Sequence, residues 1–288
     1  MIRINNIYGK TISVLYDTPI TPPEQVLKVS ILCIGDSITA GSNGPTYRSY
    51  LGDMLSEQGF EVEWKGTITN SEWTCSEPCM AWPGSGPRDI SNKYYTAATE
   101  NNYANLGSIR ADVVLVHANH NMNLSSDDYS SMTFDDFKNT TLLKSNMYGS
   151  GDSSPLGLGP LVKSIKARDK NALGISKIED AKTLIFVAQS ILADKPSEPS
   201  KYSYIPLWNQ EIPNMCASYS PPQVGSGSNV WATPVIPVNM ADGWDVQTHC
   251  IADGVHPNEI GARLMAQKWC DAICENRSII ASLPKNNK

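Results

Sequence analysis

The pattern of apolar and polar positions divides the chain into a short N-terminal piece and a longer alternation of strands and helices. Residues 2–16 alternate, with Ile2 and Ile4, then Ile12, Val14 and Tyr16, on either side of Tyr8-Gly9-Lys10. A period of two predicts a hairpin or edge-strand extension, and TPITPP at 18–23 a connector. Residues 1–25 are therefore expected to form an N-terminal extension and 26–288 one domain. From Val29 the pattern changes. VSILCIG (29–35) is a continuous apolar run, as a central parallel strand covered on both faces requires. EVEWKG (61–66), ADVVLVHA (111–118) and KTLIFVAQ (182–189) predict three more strands. VWATPVIPV (230–238) predicts a fifth, which its prolines place near an edge. Tyr47, Leu51 and Leu55 mark one face of a helix. Ile260, Leu264, Ala266 and Trp269 mark another over 257–274, with Pro257 expected in its first turn. The alternation predicts an α/β fold: a doubly wound, mostly parallel five-stranded sheet flanked by helices.

Between 123 and 180 the periodicity fails. The stretch is rich in Ser, Asp and Gly (SSDDYSS, YGSGDSSP), with one helix predicted at 161–168. It reads as a long insertion, functional or mobile rather than core. Residues 218–228, rich in Pro, Gly and Ser, form a second irregular stretch.

Composition narrows the function classes. The 288 residues are 41% hydrophobic and 18% charged, enough for one large core. A net charge of −6 and the lack of any basic run argue against nucleic acid or an anionic membrane as partner. No apolar run approaches the roughly 18 residues needed to cross a bilayer. The first residues lack the regions of a signal peptide, so the expected location is cytoplasmic, or extracellular if an export signal lies outside this sequence. The seven cysteines are read mainly as buried free thiols. His249-Cys250 lacks zinc-site spacing, and no metal or cofactor is expected.

The candidate chemistry sits at the two ends of the domain. Ser37 follows the first buried strand, in Gly35-Asp36-Ser37-Ile38-Thr39-Ala40-Gly41. Ligands of parallel sheets bind at the carboxyl ends of strands, and a helix start there offers amides to negative charge. Near the C-terminus, Asp253-Gly254-Val255-His256-Pro257-Asn258 precedes the last helix. An Asp three residues before a His can hold the imidazole Nδ1–H and free Nε2 to accept a serine proton.

These elements resemble the SGNH (GDSL-type) hydrolase family, and within it the acetyl-xylan-esterase-like carbohydrate esterases, over about 29–269. GDSITAG with Tyr47-Arg48 looks like the family's first block, and Trp82-Pro83-Gly84 like the second. VVLVHANHN (113–121) is similar to the third block, and DGVHPNEIGARLMAQKW (253–269) to the fifth. The resemblance implies an SGNH/flavodoxin-like three-layer sandwich. It implies Ser37 as nucleophile with Asp253 and His256 as partners, and an oxyanion hole from the Ser37 and Gly84 amides and the Asn121 side chain. The third block departs from the usual Gly-x-Asn-Asp: Asn119 takes the Gly position, His120 precedes the block's Asn and Met122 replaces the second acid. Either Asn119 or Asn121 could face the hole, and the spacing from the strand favours Asn121.

The implied substrates are short acyl esters, acetyl above all, on small molecules or polysaccharides. Asp36, Trp82, Asn119 and His120 are candidate substrate contacts. Among Trp73, Trp82, Tyr94, Tyr95, Trp208, Trp231 and Trp244, most are expected to pack in the core or loops, with Trp82 the best candidate to face a sugar. The alternatives are a lipase, thioesterase or sugar O-acetyltransferase on the same scaffold, or a non-catalytic carbohydrate-binding protein. Oligomeric state is left open.

Overall fold

The computed structural model describes residues 2–5, 11–14, 26–69, 75, 77–99, 110–122, 128–149, 156–173, 176–177, 180–198, 200–220 and 232–284. Strands β1 (Ile2–Asn5) and β2 (Thr11–Val14) pair antiparallel in a sheet of their own, with Ile2 opposite Val14. The chain then runs through β3 (Leu27–Gly35), α1 (Ser37–Ala40), α2 (Arg48–Glu57), β4 (Phe60–Lys65), β5 (Met80–Ala81), α3 (Pro87–Thr99) and β6 (Val113–His117). There follow α4 (Phe134–Lys138), α5 (Thr141–Leu143), a π-helical turn (Lys144–Tyr148), α6 (Leu158–Leu173), β7 (Leu184–Gln189) and α7 (Ile205–Ser218). The last elements are β8 (Val235–Asn239), α8 (Val246–His249), α9 (Glu259–Glu275) and α10 (Arg277–Ser282).

The main sheet has the order β4-β3-β6-β7-β8, and every pair in it is parallel. The proline-bearing β8 lies at an edge, where the lost ladder donor of Pro237 costs least. A sixth, two-residue strand was not legible in the sequence. β4 pairs with β3 as far as Leu32, and β5 takes over that side of β3 at Ile34 and Gly35. Alternate residues of the central strands enter two cores. Leu32, Ile34, Val114, Val116, Ile185 and Val187 meet Ile90 of α3, Leu161 of α6 and Ile212 of α7. Ile31, Cys33, Leu115 and Phe186 meet Leu51 and Leu55 of α2 with Met265 and Trp269 of α9. Both faces of the sheet are thus covered, which is why these strands read as unbroken apolar runs. Asp112 locks the base of the sheet: its Oδ2 accepts from the Ser30 amide at 2.9 Å and the Ser30 hydroxyl at 2.8 Å.

Several elements differ from expectation. The last helix begins at Glu259, with Asn258 as its cap accepting from the Gly261 amide, so Pro257 lies before the first turn and bridges to Cys250 instead. The polar insertion contributes to the core: Phe137, Leu143 and Met147 are fully buried in it. Helices α3 and α7 went unpredicted. In α7, Pro213 has no amide to donate to the Asn209 carbonyl four residues back. That carbonyl instead accepts from Gln189 Nε2 at 2.7 Å, which couples the helix to the end of β7. All seven cysteines are free thiols, and six are buried. Residues 18–23, 123–127, 150–155, 174–175, 178–179 and 221–231 lie outside the described residues, as does Trp73.

Candidate active site

Register assembles the site. Gly35 pairs with Ala81 on one side and with His117 on the other, so β3, β5 and β6 end level. The loops that leave them, 36–41, 82–86 and 118–122, therefore start side by side at the carboxyl edge of the sheet. They are in close contact: a Cβ on Gly35 would meet the His117 carbonyl oxygen at 2.3 Å, and one on Gly86 the Asn121 carbonyl oxygen at 2.1 Å. Only glycine allows either approach.

Ser37 is the first residue of α1. Asp36 caps this single turn, its Oδ1 accepting from the Ile38 amide at 3.0 Å, and Gly41 ends it in the left-handed region at φ 75°. The turn is braced from below by Arg48, which is fully buried. Its Nε donates to the Thr39 carbonyl at 2.8 Å, its Nη2 to that of Ala40 at 3.1 Å, and its Nη1 to that of Glu77. These carbonyls belong to the short helix and to the segment before β5, so one guanidinium fixes the Ser37 turn to its neighbour. Arg48→Met leaves three carbonyls without their charged donor. The expected loss is about 3 kcal/mol, read as a fall of roughly 6–12 °C in Tm. Lysine, lacking the planar fork, should restore only part of it.

The second half of the array comes from the loop before α9. Asp253 uses both oxygens. Oδ1 accepts from the Val255 and His256 amides at 2.8 and 2.9 Å, and Oδ2 lies 2.6 Å from His256 Nδ1. The three-residue spacing makes this possible: one oxygen closes the turn while the other holds the ring. Burial pushes the Asp253 carboxyl up, but the bonds from the His256 ring and the two amides outweigh it and hold the pKa below the ordinary carboxylate value. With Nδ1 so engaged, Nε2 faces Ser37, and the Oγ–Nε2 distance is 2.8 Å. Residues 219 apart in sequence thus meet in one hydrogen-bonded line. Asn43, which the sequence did not single out, has Nδ2 at 3.2 Å from the same Nε2. The only sequence signal for it is its place six residues after Ser37 in the same loop.

The three expected oxyanion donors differ in setting. The Ser37 amide, at the helix start, and the amide of exposed Gly84, at φ 74°, donate to nothing among the described residues. Asn121 Nδ2 is buried and has no hydrogen-bond partner among the described residues. A buried amide donor without a partner is costly. Asn119 is different: its Nδ2 donates to the Ala188 carbonyl at 2.9 Å, inside the sheet edge. Asp36, Asn119 and His120 were expected to touch substrate, but all three are enclosed, at 2% exposure or less. Of the candidate aromatics, Tyr94, Trp208 and Trp244 are buried, while Trp82 remains half-buried beside Gly84.

Directly under the Ser37 turn lies a polar cluster that the sequence did not suggest. Asp36, His117 and His120 each present a possible ligand atom within 4.8 Å of the others'. The two imidazole rings have centres 5.3 Å apart and planes 18° apart. Burial raises the Asp36 carboxyl to about 6 against the bonds from the Ile38 and His120 amides, and lowers His117 to about 4. His120 is driven well below its ordinary value by burial and then by His117.

Fold and geometry together define a doubly wound α/β protein with a serine–histidine–aspartate array at the carboxyl edge of its sheet. No protein-family model matches the sequence, and no curated protein matches it significantly. Solved structures do share the fold. A family 3 carbohydrate esterase from Clostridium thermocellum is 20% identical, with a TM-score of 0.56 over 88% of this chain and 100% of that one. An acetyl esterase variant solved with acetate ion is 15% identical, with a TM-score of 0.53 over 86% of this chain and 97% of that one. A carbohydrate esterase of family 3 from Talaromyces cellulolyticus is 13% identical, with a TM-score of 0.53 over 89% of this chain and 100% of that one. At these identities the likeness establishes the architecture, as expected from the sequence.

Proposed function

We propose that the chain is a serine esterase that hydrolyses short acyl esters, acetyl above all, carried on carbohydrate. The observation that carries this reading is the line Ser37 Oγ–His256 Nε2 at 2.8 Å and His256 Nδ1–Asp253 Oδ2 at 2.6 Å. In the reaction His256 Nε2 takes the Ser37 proton as Oγ bonds to the ester carbonyl carbon. The oxyanion that forms is met by the Ser37 and Gly84 amides and by the Asn121 side chain. Collapse breaks the bond to the sugar oxygen, which leaves with the proton from His256. Water then attacks the acyl-enzyme while His256 takes its proton, and Ser37 regains its hydrogen as the carboxylic acid departs. Asp253 keeps the imidazole in the required tautomer and faces the imidazolium that forms twice in the cycle.

The acetyl and carbohydrate parts of the proposal are supported by the shared architecture with carbohydrate and acetyl esterases and by half-buried Trp82 beside the exposed Gly84. The test is a comparison of acetylated xylan, p-nitrophenyl acetate and p-nitrophenyl octanoate. Acetate release from the first two, with the octanoate slower, is the expected result. No turnover of any ester would refute the proposal, and faster octanoate cleavage would move the protein to the lipases. Asn121→Ala should lower kcat about 100-fold with little change in KM, because the donor acts on charge that exists only in the transition state. Steady-state kinetics on p-nitrophenyl acetate check this.

A further inference from the structure

We propose that Asp36, His117 and His120 form a buried site for one divalent transition-metal ion of the zinc type, seated beneath the turn that carries Ser37. The sequence holds no metal motif, since Asp36 is separated from the two histidines by the whole stretch through β6. Register creates the site: the ends of β3 and β6 stand level at Gly35 and His117, so the residue after one strand faces the end of the other.

Three observations converge on it. The first is the donor set, one carboxylate and two imidazoles, which suits zinc and neighbouring divalent ions. The second is the tautomer of His120. Its Nε2 lies 2.9 Å from the Ile191 carbonyl and must donate there, which leaves the Nδ1 lone pair free. Metal-binding histidines are held in this way, with the second ring nitrogen donating to a backbone carbonyl. That Nδ1 is buried and has no hydrogen-bond partner among the described residues. The third is His117, fully buried, with neither ring nitrogen bonded to any partner among the described residues. Unpartnered nitrogens on two neighbouring buried imidazoles are a cost that an ion would remove.

Charge and distance agree. Among the described residues Asp36 accepts from two amides, Ile38 at 3.0 Å and His120 at 3.4 Å, and has no lysine or arginine beside it. A buried carboxylate in that position calls for a cation, and a water molecule would not supply one. Two imidazoles on one tetrahedral ion with bonds of about 2.1 Å have ring centres about 5 Å apart; here they are 5.3 Å apart. Ligand atoms on such an ion stand about 3.4 Å from one another, so an outer separation of 4.8 Å closes with small side-chain shifts. Three protein ligands leave a fourth position for water.

The test uses the full-length chain stripped with a chelator and titrated with Co²⁺, a spectroscopic probe for zinc sites. One Co²⁺ per chain is expected, with the visible absorption of nitrogen and oxygen ligation and no thiolate charge-transfer band. Excess Zn²⁺ should bleach that absorption and raise Tm by roughly 5–10 °C at a hundredfold excess over Kd. His117→Leu and Asp36→Asn should each abolish the absorption. If either variant fails to fold, the wild-type spectrum and stoichiometry decide. Lack of Co²⁺ binding, a thiolate band from any of the seven cysteines, or an absorption that survives both substitutions would overturn the proposal. None of these measurements depends on esterase activity.

Discussion

Ser37→Ala is expected to lower kcat on p-nitrophenyl acetate by about 10⁴- to 10⁶-fold and to leave Tm within about 1 °C of wild type. The size follows from the role: without Oγ no acyl-enzyme can form, and what is left is catalysis by the oxyanion donors and His256 on water. The small stability effect follows from the setting. Ser37 makes its one side-chain bond to His256, a part-buried residue with a second partner in Asp253 and a third in Asn43. The helix cap belongs to Asp36, and the turn is anchored by Arg48, neither of which the substitution touches. A variant that kept more than a tenth of wild-type activity would show that another group does the chemistry.

Gly254→Ala should be nearly as damaging to activity, and destabilising as well. Gly254 sits between Asp253 and His256 at φ 69°, where a Cβ costs about 1 kcal/mol. That Cβ would also stand 1.9 Å from the Asp194 carbonyl oxygen. Relief requires the 253–256 turn to leave the 192–196 segment, breaking the bond from the Asp194 amide to the Gly254 carbonyl at 2.9 Å. Crowding of this kind adds about 1–3 kcal/mol, for a fall of roughly 5–15 °C in Tm. Displacing His256 by about an ångström from Ser37 should cost about 100-fold in kcat/KM. Calorimetry and kinetics on the same sample measure both. Unchanged kinetics would mean that the position of this turn does not govern the reaction.

What the sequence could reveal depended on whether the signal was local. β3, β6 and β7 were legible because burial on both faces leaves an uninterrupted apolar run. The Ser37 turn and the Asp253–His256 loop were legible because their spacing is set within a few residues by caps and turns. α7 was hidden by Pro206 and Pro213, which read as breakers; the helix survives because a side chain from β7 takes up the carbonyl that Pro213 abandons. α3 was hidden by its polar composition, with Ile90 and Tyr94 the buried anchors of its first turns. Within the 123–180 insertion a helix was legible only at 161–168, yet Phe137, Leu143 and Met147 also enter the core, since such anchors scattered among polar residues give no clear period.

The support of the site was less legible than its reacting groups. Arg48 entered the sequence reading only beside Tyr47 in the first block, and only the tertiary fold shows it turned inward onto the Thr39 and Ala40 carbonyls. The difference between Asn119 and Asn121 also needed three dimensions. Two residues apart after a strand, both could have faced the same way, but Asn119 is drawn back to Ala188 while the Asn121 amide is left without a partner. The enclosure of Asp36, His117 and His120 depends wholly on strand register, which no local pattern encodes.

The most direct measurement of the central claim is covalent labelling. Incubation of the full chain with a fluorophosphonate, followed by peptide mass spectrometry, should find one adduct per molecule, on Ser37, formed at a rate that falls at least 100-fold in His256→Ala. A chain that stays unlabelled, or that carries its adduct on another residue, would contradict the account.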